Sequence, residues 1–267
     1  MNKPNSYYPN LSQSVVLTLL TLLFMLLYRG LGMMLKSFYP NKEFAHFIRL
    51  AEYCLTMLTV IIIARNGQKR ENTSVPKFQS KAPGLIVILV SLLIANCIAL
   101  LLMPIVTLIP ISPLIEKMFE EMLATDIFSI ITIAVAAPIM EEILFRGIIL
   151  EGLLHRYKPN AAIVFSSLLF SLAHFNPWQG LVTFFAGLFL GWIYTRTRSL
   201  VPCMLIHFVN NAQGYLFDIT SLYRKMSPGL LISVICVIIY LGCWVLDIKM
   251  KQPIDIVVIK DGDNPFI

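Results

Sequence analysis

Charge is scarce in this sequence. Only 13% of its 267 residues are Asp, Glu, Lys or Arg, against 57% hydrophobic residues, where a soluble globule carries about a quarter charged. Cysteine pairs are missing too. Cys54, Cys97, Cys203, Cys236 and Cys243 all lie in apolar runs and none forms a CxxC, so they read as small buried hydrophobes and not as a disulfide framework. There is no glycine-rich phosphate loop and no dense basic tract with interleaved aromatics, which removes nucleic acid from the expected partners. Several hydrolase designs are absent as well. No HExxH occurs, so a zincin-type helix is excluded. No GxSxG occurs, which excludes a nucleophile elbow. An aspartic dyad fails because Asp126, Asp218 and Asp247 flank apolar runs and Asp255, Asp261 and Asp263 lie in the tail.

Apolar runs make up most of the chain: 14–35, 47–64, 84–109, 127–150, 161–175, 178–194, 200–217 and 229–246. Lipid offers no water to unpaired backbone groups, so each run predicts a helix. The expected fold is all-α: a polytopic membrane protein of about eight transmembrane helices, with 1–267 as a single membrane domain. The first run has a weakly charged start and no small-residue cleavage site, and reads as a retained span. An even number of spans puts both termini on one side. With those termini cytoplasmic, the inside segments hold roughly twice as many Lys and Arg as the outside ones, the bias expected of cytoplasmic loops. The cell membrane is therefore the expected location and the bilayer a partner. Arg49 and Glu52 stand near the start of the second run, where they can reach the interface. Met118, Phe119, Met122 and Leu123 recur at helical spacing, as in an interfacial helix or a solvated connector. Gly187-x-x-x-Gly191 favours close helix packing.

The run 127–150 contains Pro138-Ile139-Met140-Glu141-Glu142-Ile143-Leu144-Phe145-Arg146-Gly147. Each charge at a helix centre costs ~2.5–3.5 kcal/mol, so three cost roughly 8–10 unless they face inward and find partners. Glu142 and Arg146 are i,i+4 neighbours and can pair on one face. Glu141 lies about 100° round the helix and is left free for chemistry. Pro138 removes the hydrogen bond to the Ala134 carbonyl, which predicts a kink beside the pair. The bland alternative is a buried salt bridge that only fixes packing.

Of the four histidines, His46 and His155 stand at span ends. His174 has Phe170 one turn below it. His207 shares a face with Asn211, and Asn210 is turned away. A lone intramembrane histidine is usually a helix-to-helix hydrogen bond. A Glu pair, two His and an Asn together supply the parts for hydrolysis: a base to activate water and donors for an oxyanion.

Glu-Glu-x-x-x-Arg (Glu141, Glu142, Arg146), Phe-x-x-x-His (Phe170, His174) and His-x-x-x-Asn (His207, Asn211) occur in that order. The combination resembles the CPBP family, also called Abi: type II CAAX prenyl endopeptidases and bacteriocin-processing or immunity proteins. It covers about 125–217, the expected core, and no motif position departs from the pattern. The resemblance implies that Glu141 and His174 activate water, that Glu142 and Arg146 hold the site, and that His207 and Asn211 stabilise the oxyanion. The substrate would be a membrane-associated peptide or protein, prenylated or of bacteriocin type. Two His and a Glu could hold a divalent metal such as zinc with an open position, and a glutamate mechanism needs no metal; the residues permit both. A non-catalytic immunity or scaffold protein is the alternative. A transporter would use the same charges as an ion relay, but repeats and paired broken helices are absent.

Overall fold

The computed structural model describes residues 7–71, 83–113, 116–117, 125–216 and 227–250. The regular elements among them are helical: α1 Leu11–Phe38, α2 Lys42–Arg70, α3 Leu85–Val106, α4 Ile127–Leu154, α5 Pro159–Ala173, α6 Pro177–Thr197, α7 Leu200–Leu216 and α8 Pro228–Lys249. Local chemistry sets their starts. Asn10 and Gln13 form a reciprocal capping box on α1, satisfying two orphan backbone donors. Asn41, Asp126 and Asn176 cap α2, α4 and α6 through their side chains. Proline opens α5, α6 and α8, where its missing N–H has no cost.

The chain is an all-α polytopic membrane protein. α1, α2, α3, α4 and α8 are each long and apolar enough to cross a bilayer. Their outer faces expose Leu19, Leu26, Ile62, Leu89, Tyr240 and Trp244, an apolar coat that suits lipid and not water. The expected count of eight spans is not reached on that measure. α5 is apolar but has only 15 residues, about 22 Å of helix against a hydrocarbon core of about 30 Å. α7 carries His207, Asn210, Asn211 and Gln213, which lower its hydropathy. α4, which carries the two carboxylates and the guanidinium, is among the five, and α5, α6 and α7 are not. The segment 118–124 with its helical apolar spacing, and the tail beyond 250, lie outside the described residues.

α4 is the centre of the bundle, and every residue from Leu144 to Leu154 is buried. Its regular middle, Ala137–Leu144, is bracketed by two wider π turns, Ile131–Ala136 and Phe145–Leu150. The disturbance expected at Pro138 is taken up just upstream, where the Ala137 N–H reaches the Thr132 carbonyl five residues back. α5 and α6 form the most extensively packed pair. A Cβ on Gly187 would stand 3.0 Å from the Ser167 Cβ, and one on Gly191 3.0 Å from Ile163, so both glycines are what lets these helices approach. α2 begins at Lys42, so Glu52 lies about three turns inside it, where it turns to α1 and accepts from Lys36 at 3.1 Å and Arg29 at 3.4 Å.

Candidate active site

The charged pair is built within one helix. Arg146 Nη1 donates to Glu142 Oε1 at 2.9 Å, and both side chains are shut off from solvent (2% and 0% exposed). Helical i,i+4 spacing stacks the two side chains, and burial makes the pairing obligatory, since an unpaired charge here would cost several kcal/mol. The Arg146 guanidinium also lies over the Phe170 ring, 4.4 Å from its centre, a desolvated cation–π contact. Phe170 in turn meets the rings of His174 and His207 edge-on. The motif phenylalanine is thus a spacer packed among three functional heads.

Each imidazole is fixed by the partner at its Nδ1. His207 Nδ1 lies 2.9 Å from Glu142 Oε1, and His174 Nδ1 lies 2.9 Å from the Phe170 carbonyl. A carboxylate and a carbonyl only accept, so both rings carry hydrogen on Nδ1 and turn Nε2 outward. His174 is held there by the end of α5. The chain leaves through Phe175 in the left-handed region (φ 53°), a strained setting for a bulky residue, and Asn176 bonds the His174 carbonyl at 3.3 Å while capping α6.

The two Nε2 atoms face one carboxylate oxygen. Glu141 Oε2 lies 4.0 Å from His174 Nε2 and 3.9 Å from His207 Nε2. Its atom is buried and has no hydrogen-bond partner among the described residues. The other oxygen, Oε1, accepts the Tyr53 hydroxyl at 2.8 Å. Tyr53 belongs to α2 and is the residue that sequence reasoning missed. Its only prior signal was that a tyrosine within an apolar span needs a partner for its hydroxyl. Asn211 is brought to the same helix face as His207, and its amide donates to the Ile133 carbonyl at 2.8 Å. That carbonyl lies in the first π turn, where the regular i→i−4 ladder is disturbed; Ser166 meets the Phe145 carbonyl of the second turn in the same way, at 3.1 Å. Glu141, Glu142, Arg146, His174 and His207 thus meet at one place, and Asn211 stands one turn from His207 with its amide on the Ile133 carbonyl. Asn210 does not join them and accepts from Gln213 at 3.1 Å.

The donor set can be tested against a metal. Tetrahedral ligands about 2.0–2.1 Å from zinc stand roughly 3.3 Å from one another. The carboxylate–imidazole separations here are wider, and among the described residues no group of three or more His, Cys, Asp or Glu is arranged to hold a metal ion. Separations near 4 Å suit atoms that share one water, with each contact about 2.8 Å.

Fold and site together define a class: a helical membrane protein that buries a carboxylate–imidazole–amide cluster within its bundle. Residues 123–213, which hold every motif residue, match the family model described as type II CAAX prenyl endopeptidase Rce1-like, over the same segment in which the three motifs stand. The chain is 34% identical over 116 residues to an uncharacterized 24.3 kDa protein of Escherichia coli, covering 41% of this chain and 53% of that protein. It is 29% identical over 118 residues to the membrane-embedded CAAX protease MroQ of Staphylococcus aureus, covering 42% of this chain and 47% of that protein. The chain thus spans about half the length of the curated relatives it matches. No solved structure matches.

Proposed function

We propose that the chain is an intramembrane endopeptidase that hydrolyses a peptide bond with water activated by Glu141. One observation carries this reading: a buried carboxylate oxygen with no hydrogen-bond partner among the described residues, flanked by two outward-turned imidazole nitrogens. Glu141 Oε2 and His174 Nε2 are two acceptors in one place and repel unless a donor lies between them, and water is the donor that hydrolysis requires. Glu141 Oε2 takes one proton from that water, and His174 Nε2 accepts its other hydrogen and orients it. The water oxygen forms a bond to the peptide carbonyl carbon, and the carbonyl π electrons move onto its oxygen. When they return, the C–N bond breaks and the proton held by Glu141 passes to the leaving nitrogen. The products are an amine and a carboxylic acid.

The developing oxyanion falls to His207 and Asn211. Asn211 has a second amide hydrogen beyond the one given to Ile133. A neutral His207 spends its only N–H on Glu142, so donation from Nε2 requires the doubly protonated ring, for which Glu142 is the adjacent counter-charge. Glu142 and Arg146 hold that ring and shape the site. By family resemblance the substrate is a membrane-associated peptide, prenylated near its C-terminus or of bacteriocin type, and the domain core is 125–217. The lysine and arginine bias supports cytoplasmic ends for the bundle.

The test is purified protein with a library of prenylated and unprenylated peptides, with and without chelator, read by mass spectrometry. Cleavage should occur in both arms and fall by ~10² or more in a folded Glu141→Gln variant. Chelator-sensitive cleavage would replace the water mechanism by a metal one. A folded wild type that cuts nothing would leave the immunity or scaffold reading in its place.

A further inference from the structure

We infer that the Tyr215 hydroxyl donates to a main-chain carbonyl of the substrate two residues from the bond that is cut; this rests on the endopeptidase reading above. Tyr215 stands on α7 one turn beyond Asn211 and two beyond His207. Its hydroxyl oxygen is buried and has no hydrogen-bond partner among the described residues. A carboxylate within its electrostatic reach, Asp126, is already occupied. Asp126 Oδ1 accepts from the Phe128 and Ser129 amides, and Oδ2 lies 2.6 Å from both the Ser129 hydroxyl and His46 Nδ1. A buried hydroxyl left unpaired is costly, so one that the fold does not satisfy is poised for a partner from outside. Tyr215 also lies beyond the segment 123–213 that matches the family model, and none of the three motifs includes it.

The order of contacts along α7 places this hydroxyl relative to the chemistry. His207 meets Glu142, Asn211 meets the Ile133 carbonyl, and Tyr215 feels Asp126. Positions that rise along α7 fall along α4, so the two helices run antiparallel. The three side chains therefore form a row leading from the site toward the start of α4. Four helical residues advance about 6 Å and turn about 40°, which keeps the row on one face. An extended peptide advances about 3.3 Å per residue, and its carbonyls point to alternate sides. Carbonyls on one side thus recur about every 6.6 Å. The two periods match. With the scissile carbonyl at His207 and Asn211, the next carbonyl on the same side falls opposite Tyr215. Within a bilayer each unpaired peptide carbonyl is costly, so a substrate drawn out straight needs such a donor. The contact reads the main chain and accepts any side chain there.

The test is a peptide that wild type cleaves, remade with one peptide unit at a time replaced by a trans alkene, which keeps the shape and removes the carbonyl. The replaced units lie on both sides of the cut. kcat and KM are read for wild type and for Tyr215→Phe, which removes the hydroxyl alone, together with melting points in detergent. A neutral hydrogen bond is worth a factor of about 5. Tyr215→Phe should melt like wild type and raise KM ~5-fold for the unmodified peptide, with kcat nearly unchanged, the pattern of binding made equally in ground and transition states. The alkene two residues from the cut, on one side, should cost wild type ~5-fold more than it costs Tyr215→Phe, because the variant has already lost that bond. Alkenes at other positions should cost both proteins alike. An unchanged KM in Tyr215→Phe, an alkene cost equal in both proteins at every position, or a lowered melting point with cleavage intact overturns the contact and leaves the endopeptidase reading standing. If Tyr215→Phe does not fold, the wild-type series decides alone, by whether that one unit stands out. A folded wild type that cuts no peptide overturns that reading and the contact with it.

Discussion

The Tyr53 hydroxyl of α2 donates to Glu141 Oε1 of α4 at 2.8 Å, joining residues 88 apart in sequence. The bond occupies one carboxylate oxygen and leaves the other turned to the two imidazoles. Tyr53 lies outside the segment 123–213 that matches the family model, so the site draws on a helix that carries no family motif. Tyr53 bonds the carboxylate proposed as the base, which under that proposal makes it a positioning residue.

Tyr53→Phe removes this hydroxyl alone. A hydrogen bond to a charged group is worth about 1.5–3 kcal/mol, so turnover should fall ~10-fold or more while KM stays near its wild-type value. In a Glu141→Gln background the same change should cost nothing further, because its partner has already lost its charge. A full additional loss there would show that Tyr53 acts by some route other than Glu141.

Arg146→Ala leaves Glu142 buried without its cation and removes the contact over Phe170. Breaking such a pair from one side costs ~3–5 kcal/mol. The melting point in detergent should drop together with activity. Lost activity at an unchanged melting point would move Arg146 from architecture to chemistry.

Asn211→Ala separates an oxyanion donor from packing glue. Losing one donor raises the barrier by ~2.7–4 kcal/mol, about 100-fold or more in kcat. Losing the bond to the Ile133 carbonyl costs only about 0.6 kcal/mol on the average for such interhelical bonds. The variant should therefore melt close to wild type and turn over far more slowly, with little change in KM. Full turnover with a lowered melting point would assign Asn211 to the π turn alone.

Asp126, which caps α4 just outside the span, gives the protein an acid-sensitive element. Burial pushes its carboxyl up, but the Ser129 hydroxyl and amide, then His46 and Arg49, outweigh that and hold it below its ordinary value. A depressed folded value contributes stability above the unfolded pKa of about 3.9 and loses it as pH falls through the folded value. The stability advantage of wild type over Asp126→Asn should shrink as pH drops from about 5 to below 3. A difference that stays constant over that range would reduce Asp126 to an uncharged cap.

What could be read from the sequence was what repeats along one helix. The Glu142–Arg146 pair, the stacking of Phe170 under His174 and the shared face of His207 and Asn211 all follow from i,i+4 spacing, and all three are present. The partners that fix each ring were not legible. Glu142 reaches His207 across 65 residues, and Ile133 meets Asn211 across 78. Such pairings depend on how helices are rotated against one another, and hydropathy says little about rotation in a bundle whose outer faces are as apolar as its core. The start of α2 was not legible either: the apolar run begins at Phe47, but the helix begins at Lys42, where Asn41 caps it.

The wide turns on either side of the carboxylates give α4 a broken phase. Each takes up about one residue more than an α turn, which offsets the faces counted across it by roughly 100°. The eight residues Ala137–Leu144 therefore keep an angular setting of their own. Residues before Ile131 can follow the demands of lipid and those after Leu150 the demands of packing, without turning Glu141 away from its imidazoles. Deleting one residue from Ile131–Ala136 should swing the amino-terminal part of α4 while leaving the carboxylates aimed, whereas the same deletion inside Ala137–Leu144 should point them at the wrong neighbours.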